Sequence, residues 1–279
     1  MTGVAGSAPV VAGAGGAGPV RIVLVHGAWH DGTCWAPVVE RLERRGHEVR
    51  VVDLPSERPE AAGRQYADTV VRAAQPLGPG ERVVLVGHSL GGLTVPVAAE
   101  VLGPERVAAL VLVAALVPRP GTSWAQQARA QPSPMAPGFG RGQVRHDDGT
   151  TSWPPDAAAA GLYAGVAAES SVAEVDAAVA RLRRQGWAIS REVTPLRAWP
   201  PVRTVRVICA EDRVVDAGWA RSAAGVVPGS EVVELPGGHF PMLTRPDELV
   251  EVIDGVMIDG LIASVPDAYA ADRSAGGEQ

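Results

Sequence analysis

ERVVLVGHSLGGLTVPVAAEVL, Glu81 to Leu102, changes its periodicity at GHSLGG. Val83 to Val86 is an unbroken run of Val and Leu, as expected of a strand buried on both faces of a parallel sheet. From Leu90 onward the apolar spacing is helical. Gly87, Ser89 and Gly91 fit G-x-S-x-G, a strand-to-helix turn so tight that the residues two positions either side of the serine must lack side chains. The turn forces Ser89 into the open. Its hydroxyl then lies beside the first, unpaired N–H groups of the next helix, which favour negative charge. A Gly-rich packing turn matches the same five-residue pattern by chance often enough that the rest of the chain must supply a base, an acid and an oxyanion hole.

Strand and helix patterns alternate on both sides of this stretch. Before it come a strand over Val20–Gly27, the loop AWHDGTCW, and a helix from about Trp35 that carries Trp35, Val38, Val39 and Leu42 on one face and stops at Gly46. A strand over His47–Pro55 and a helix over Ala61–Leu77 follow. After it come strands over Arg106–Ala115, Thr204–Ala210 and Glu231–Leu235, a helix near Ala217–Val226, and a last helix from Pro246. That helix presents Leu249, Val250, Ile253, Val256, Met257 and Leu261 to the core. The order predicts an α/β fold with a mostly parallel six-stranded sheet and helices on both faces. In such sheets ligands bind beyond the C-terminal ends of the strands, where His26, Asp53 and Ser89 lie.

Between Pro118 and Pro201 the alternation lapses into a stretch rich in Pro, Gly, Ala and Gln. It reads as an inserted, mainly helical cap, with helices over Asp156–Tyr163 and Val172–Gln185. The expected division is a core over 20–117 and 202–264, a cap over 118–201, and tails over 1–19 and 265–279. Four of the seven Trp residues fall in the cap, Trp124, Trp153, Trp187 and Trp199, together with Met135, Phe139 and Tyr163. They either dock the insertion on the core or roof an apolar pocket.

A chain of 279 residues buries a large core. A net charge of −6, without a basic cluster, argues against a nucleic-acid partner. RLRRQ, Arg181–Gln185, is the most basic run and reads as a solvated helix end. The two cysteines, Cys34 and Cys209, lie far apart and form no disulfide framework. No apolar run approaches the ~18 residues of a membrane span, and residues 1–19 lack the basic and apolar regions of a signal peptide. The expected location is the cytoplasm. The expected partner is a small-molecule substrate, with a homodimer admitted and with neither nucleic acid nor membrane.

A serine hydroxyl attacks only when a base takes its proton and a third group orients that base. His239, between Gly237–Gly238 and Phe240 after the last strand, is the best base of the six histidines. His26 and His88 sit in strand-end turns, where their rings are expected to bond backbone. Glu211, Asp212 and Asp216 all follow the fifth strand. Asp212 is favoured as the acid, and Asp216 reads as a helix cap. The oxyanion hole needs two N–H groups, which Leu90 and Ala28 supply most simply. Trp29, His30, Trp124, Trp153 and Phe240 are the candidate substrate contacts. Few charges are expected near the pocket, which favours an uncharged substrate. No metal-ligand spacing and no dinucleotide fingerprint occurs, so no metal or cofactor is implied.

Over Val20 to Ala263 the chain resembles the α/β-hydrolase superfamily. HGAWHDGTCW, GHSLGG, AEDRVV and GGHFPML together are similar to the branch that holds plant methylesterases and hydroxynitrile lyases, with bacterial esterase-like relatives. The resemblance implies that the first strand here corresponds to the superfamily's third. It assigns Ser89, Asp212 and His239 to a catalytic triad, and Ala28 and Leu90 to the oxyanion hole. Lyases of that branch carry Thr directly after the strand-one His and Lys directly after the catalytic His. Gly27 and Phe240 stand at those positions, so the cation that stabilises leaving cyanide is missing.

The leading expectation is therefore a serine esterase acting through an acyl-enzyme on a small or medium, largely apolar ester. A biosynthetic enzyme using the same triad without net hydrolysis is the second expectation. A receptor that binds a ligand unchanged is the third.

Overall fold

β1 (Val20–Val25), β3 (Arg82–His88), β4 (Val107–Val113) and β7 (Arg203–Cys209) are almost wholly buried, which is why the first three are rich in Val, Leu and Ile; β7 also buries Thr204 and Arg206. β2 (Glu48–Val52) and β8 (Glu231–Leu235) each carry two charged residues and are largely exposed because they are the sheet's two edges. The strand order is β2-β1-β3-β4-β7-β8, and every neighbouring pair is parallel. The six-stranded parallel sheet anticipated from the alternation is thus present, as the resemblance to α/β-hydrolases also implied. The computed structural model describes residues 20–129 and 133–262. Both expected tails lie outside the described residues, as does the side chain of Leu261.

α1 (Ala36–Arg44) packs on α10 (Pro246–Ile262), and α2 (Gly63–Ala74) packs on α3 (Val95–Leu102). α8 (Ala217–Ser222) lies against β7, and α9 (Pro241–Thr244) leads into α10. Leu249, Val250, Ile253, Val256 and Met257 of α10 are buried, as their spacing implies.

From β1 the chain goes to β2 on one side and returns to β3 on the other. This reversal leaves a crevice at the C-terminal ends of β1 and β3. Val25 is paired with Gly87, so His26 and Gly27 run alongside His88 and Ser89.

Between β4 and β7 lie α4 (Trp124–Gln127), a two-residue hairpin of β5 (Val144–Arg145) and β6 (Thr151–Ser152), and α5 (Pro155–Ala157), which continues as a wide turn over Ala158–Leu162. α6 (Val172–Val179) and α7 (Ala188–Arg191) complete the segment. Prolines and glycines keep each piece short. Trp153, Leu162, Tyr163, Val175, Ile189 and Leu196 are buried in one apolar cluster with the sheet residues.

α6 ends six residues before the expected Gln185. Tertiary partners claim the amides that would extend it: Arg183 N–H donates to the Trp29 carbonyl at 2.7 Å, and Gln185 N–H to the Thr151 carbonyl at 2.9 Å. RLRRQ is accordingly not a helix end. Arg183 pairs with Glu57, Arg184 with Asp148, and Gln185 is fully buried. Among the described residues no helix is long and apolar enough to cross a membrane.

Candidate active site

Ser89 sits at the tip of β3 with φ of 50°, in the left-handed region that a non-glycine residue occupies at a cost of roughly 1–3 kcal/mol. The strain is held by close approach on both sides. A Cβ on Gly87 would lie 2.9 Å from the Gly91 carbonyl oxygen, and one on Gly91 would lie 2.8 Å from the carbonyl oxygens of Val25 and His26. Only glycine fits at either position. After Ser89 the chain forms a short 3-10 turn, Ser89–Leu93, before α3 begins at Val95.

The Ser89 hydroxyl lies 3.0 Å from His239 Nε2, and His239 Nδ1 lies 2.8 Å from Asp212 Oδ2. His239 and Asp212 are both nearly solvent-free, at 3% side-chain exposure each. A carboxylate only accepts, so Nδ1 carries the proton and Nε2 is free to take one from serine. Asp212 Oδ1 in turn accepts the Val214 and Val215 amides at 2.7 and 2.9 Å, which fixes the carboxylate's orientation. Asp216 caps α8 by accepting the Trp219 amide at 2.7 Å, as its position suggested. Glu211 accepts the Gly237 amide and so ties down the loop that carries His239. From the inserted segment, Glu169 pairs with Arg245 at 2.8 Å and accepts the Gly238 amide at 3.3 Å. Nothing in the sequence marks Glu169, because its partners lie far along the chain.

The other nearby histidines face backbone. His26 donates from Nδ1 to the Gly27 carbonyl at 2.8 Å and accepts the Leu54 amide at Nε2 at 3.0 Å. His88 donates from Nε2 to the His239 carbonyl at 2.9 Å. His30 donates from Nδ1 to the Ala28 carbonyl at 2.7 Å and accepts the Tyr163 hydroxyl at 2.7 Å. Burial holds His26 and His30 down at about 4, and burial holds His88 well below the usual histidine range.

Ser89 opens into a cavity of about 670 Å3 that Ala28 and Leu90 also line. Leu90 is in the first turn of its 3-10 helix, so its N–H has no acceptor within the helix. Trp29, Trp124, Met135, Phe139 and Trp187 form the apolar wall. Trp29 holds φ of 63° and is clamped by the insertion: its amide donates to Gln185 Oε1 at 3.4 Å, and its indole N–H to Thr151 Oγ1 at 3.0 Å. Trp187 donates to the same hydroxyl at 2.9 Å.

Of the expected substrate contacts, Trp29 and Trp124 line this cavity; His30, Trp153 and Phe240 do not. His30 is drawn away by its bonds to Ala28 and Tyr163. Phe240 is packed between His30, His88, His239 and Tyr163, with ring centroids 4.6–5.4 Å away, and with His30 it borders a separate cavity of about 260 Å3. Trp153 stands behind Trp29, its ring edge-on at 5.6 Å. The expectation of few charges also fails, because Arg141, Arg145 and Arg191 line the cavity. They come from three separate short segments, which only folding brings together. No group of His, Cys, Asp and Glu arranged to hold a metal ion occurs among the described residues.

A sequence model of the alpha/beta hydrolase family matches residues 22–252. The chain belongs to that family. Within the family it stands on the methylesterase-like branch. It is 27% identical over 266 residues to Methylesterase 3 of Arabidopsis thaliana, covering 84% of this chain and 94% of that protein. It is 27% identical over 258 residues to Norfluorocurarine synthase 2 of a Strychnos species, covering 84% and 93%. Among solved structures, a pyrethroid hydrolase from Sphingobium faniae JZ-2 superposes with a TM-score of 0.73 at 24% identity, covering 90% of this chain and all of that one. At that identity the superposition speaks to the α/β-hydrolase fold alone.

Proposed function

We propose that this α/β-hydrolase is a carboxylic ester hydrolase that works through an acyl-enzyme on Ser89. The observation that carries the reading is the chain of hydrogen bonds Ser89–His239–Asp212, with Ser89 on the lining of a cavity also bordered by Ala28 and Leu90. His239 takes the hydroxyl proton as Ser89 Oγ bonds to the ester carbon. The negative oxygen that develops is received by the Ala28 and Leu90 N–H groups. His239 then gives its proton to the departing alkoxide, which leaves as an alcohol, and Asp212 stabilises the transient imidazolium. Water, deprotonated by His239, releases the acid and restores Ser89. The likeness to a methylesterase supports a carboxylic ester as the substrate, and the five apolar side chains of the wall support an ester with an apolar body.

A serine-directed fluorophosphonate tests the reading, with peptide mapping and aryl-ester turnover measured in parallel. Labelling is expected at Ser89 alone, and turnover is expected to vanish in Ser89→Ala and His239→Ala. Full turnover by Ser89→Ala overturns it.

The likeness to a protein named a synthase supports a second outcome, in which the same groups act without net hydrolysis. Reaction in labelled water separates the two, because only hydrolysis places solvent oxygen in the acid product.

A further inference from the structure

The mouth of the Ser89 cavity is cationic. Arg141 follows the Gly138–Gly140 turn, Arg145 ends β5 and Arg191 ends α7, and all three are exposed residues on the cavity lining. No Asp or Glu is among the described residues that line it. This runs against composition, since the chain carries 31 acidic and 25 basic side chains. Three other arginines of the same segment are neutralised: Arg183 by Glu57 at 3.1 Å, Arg184 by Asp148 at 3.3 Å and Arg197 by Glu100 at 2.8 Å. Arg141, Arg145 and Arg191 have no ion pair with an acidic side chain among the described residues. Three like charges converging on one concavity raise its potential and attract an anion. Guanidinium groups also match the geometry of carboxylate and sulfate oxygens, which they bind in pairs.

On the same lining Trp29 and Trp124 are buried and Phe139 and Trp187 half-buried, whereas the three arginines are exposed, so the cavity is amphipathic, apolar where it is buried and cationic where it meets solvent. We infer that the substrate of Ser89 is an ester whose apolar body carries an anionic group at the end remote from the ester, and that Arg141, Arg145 and Arg191 receive that group. The ester part of this statement rests on the hydrolytic reading above; the anion part rests on the arginines alone.

Two measurements on the full chain keep those parts separate. The first compares mono-p-nitrophenyl suberate, which ends in a carboxylate, with p-nitrophenyl octanoate. The expected kcat/KM ratio favours the suberate by about tenfold, an estimate from several exposed charge pairs acting together. The ratio is expected to fall towards one in the combined Arg141→Gln, Arg145→Gln, Arg191→Gln variant and at high salt. The second follows quenching of tryptophan fluorescence by phenyloctanoate, phenyloctyl sulfate and neutral phenyloctanol, which needs no turnover. The anions are expected to bind about tenfold more tightly than the alcohol, and the variant is expected to lose the difference. A carboxylate preference without a sulfate preference would narrow the substrate to a half-ester of a dicarboxylic acid and still support the inference. Equal binding of anions and alcohol by the wild-type chain, or the same preference in the variant, overturns it. Failure to hydrolyse either ester, with the binding preference intact, overturns the hydrolytic reading and leaves the anion site standing.

Discussion

A Cβ atom on Gly27 would lie 2.8 Å from the Cβ of Ser89. The proposed nucleophile and the second residue of the loop after β1 therefore approach each other through backbone-near atoms that have no freedom to swing aside. The same Cβ would come 3.0 Å from His88 Nδ1. Gly27→Thr is expected to push Ser89 off its line to His239, lowering kcat on an aryl ester by roughly 10- to 100-fold and stability by about 1–3 kcal/mol. Kinetics with thermal melts check it; an unchanged kcat would mean that the turn yields without moving the hydroxyl.

Asp212 meets His239 with one oxygen and two backbone amides with the other. Asp212→Asn replaces one acceptor by an NH2 group, so either the imidazole is held in the wrong tautomer or the Val214 and Val215 amides lose their acceptor. The expected outcome is a fall in kcat of about 10^4 with a folded protein, checked by steady-state rates and circular dichroism. A loss below tenfold would return Glu211 to consideration as the acid.

His26, His30 and His88 are all held neutral by burial, each with its one ring N–H given to a backbone carbonyl. Their charged forms are favoured by unfolding, so the unfolded chain binds more protons as pH falls below the ordinary value of 6.5. Stability is therefore full above pH 6.5 and drains away towards about 4. Between pH 6.5 and 5, His26 and His30 are each expected to cost roughly 2 kcal/mol. Urea unfolding at pH 7 and pH 5 measures this, and proton NMR should show the rings of His26, His30 and His88 without a titration shift across that window.

Thr151 Oγ1 accepts the indole N–H groups of Trp29 and Trp187 at once. Thr151→Val keeps the shape and removes the one oxygen that serves both indoles. Since an orphaned buried donor costs about 1–3 kcal/mol, the variant is expected to lose stability in that range and to loosen the aromatic wall. Thermal melts and the near-ultraviolet dichroism of the tryptophans report the two effects. An unchanged melting temperature would show that water reaches both indoles.

The sequence by itself determined the sheet and the tight turn that carries Ser89. Buried parallel strands must be apolar throughout, and the turn at Ser89 must have glycine at Gly87 and Gly91, so both leave a local signature. Asp212 and His239 were legible for the same reason, since each follows a recognisable strand. Tertiary structure decided whatever depends on partners distant in the chain. Gln185 leaves the helical pattern because Trp29 and Thr151 claim the amides around it. His30 and Phe240 carry pocket-like side chains, yet their hydrogen-bonding and ring partners turn them from the Ser89 cavity. Arg141, Arg145 and Arg191 look like scattered surface charges until three short segments fold onto one rim. Side-chain direction in such segments is set by docking and not by periodicity, so no spacing rule marks the rim in advance.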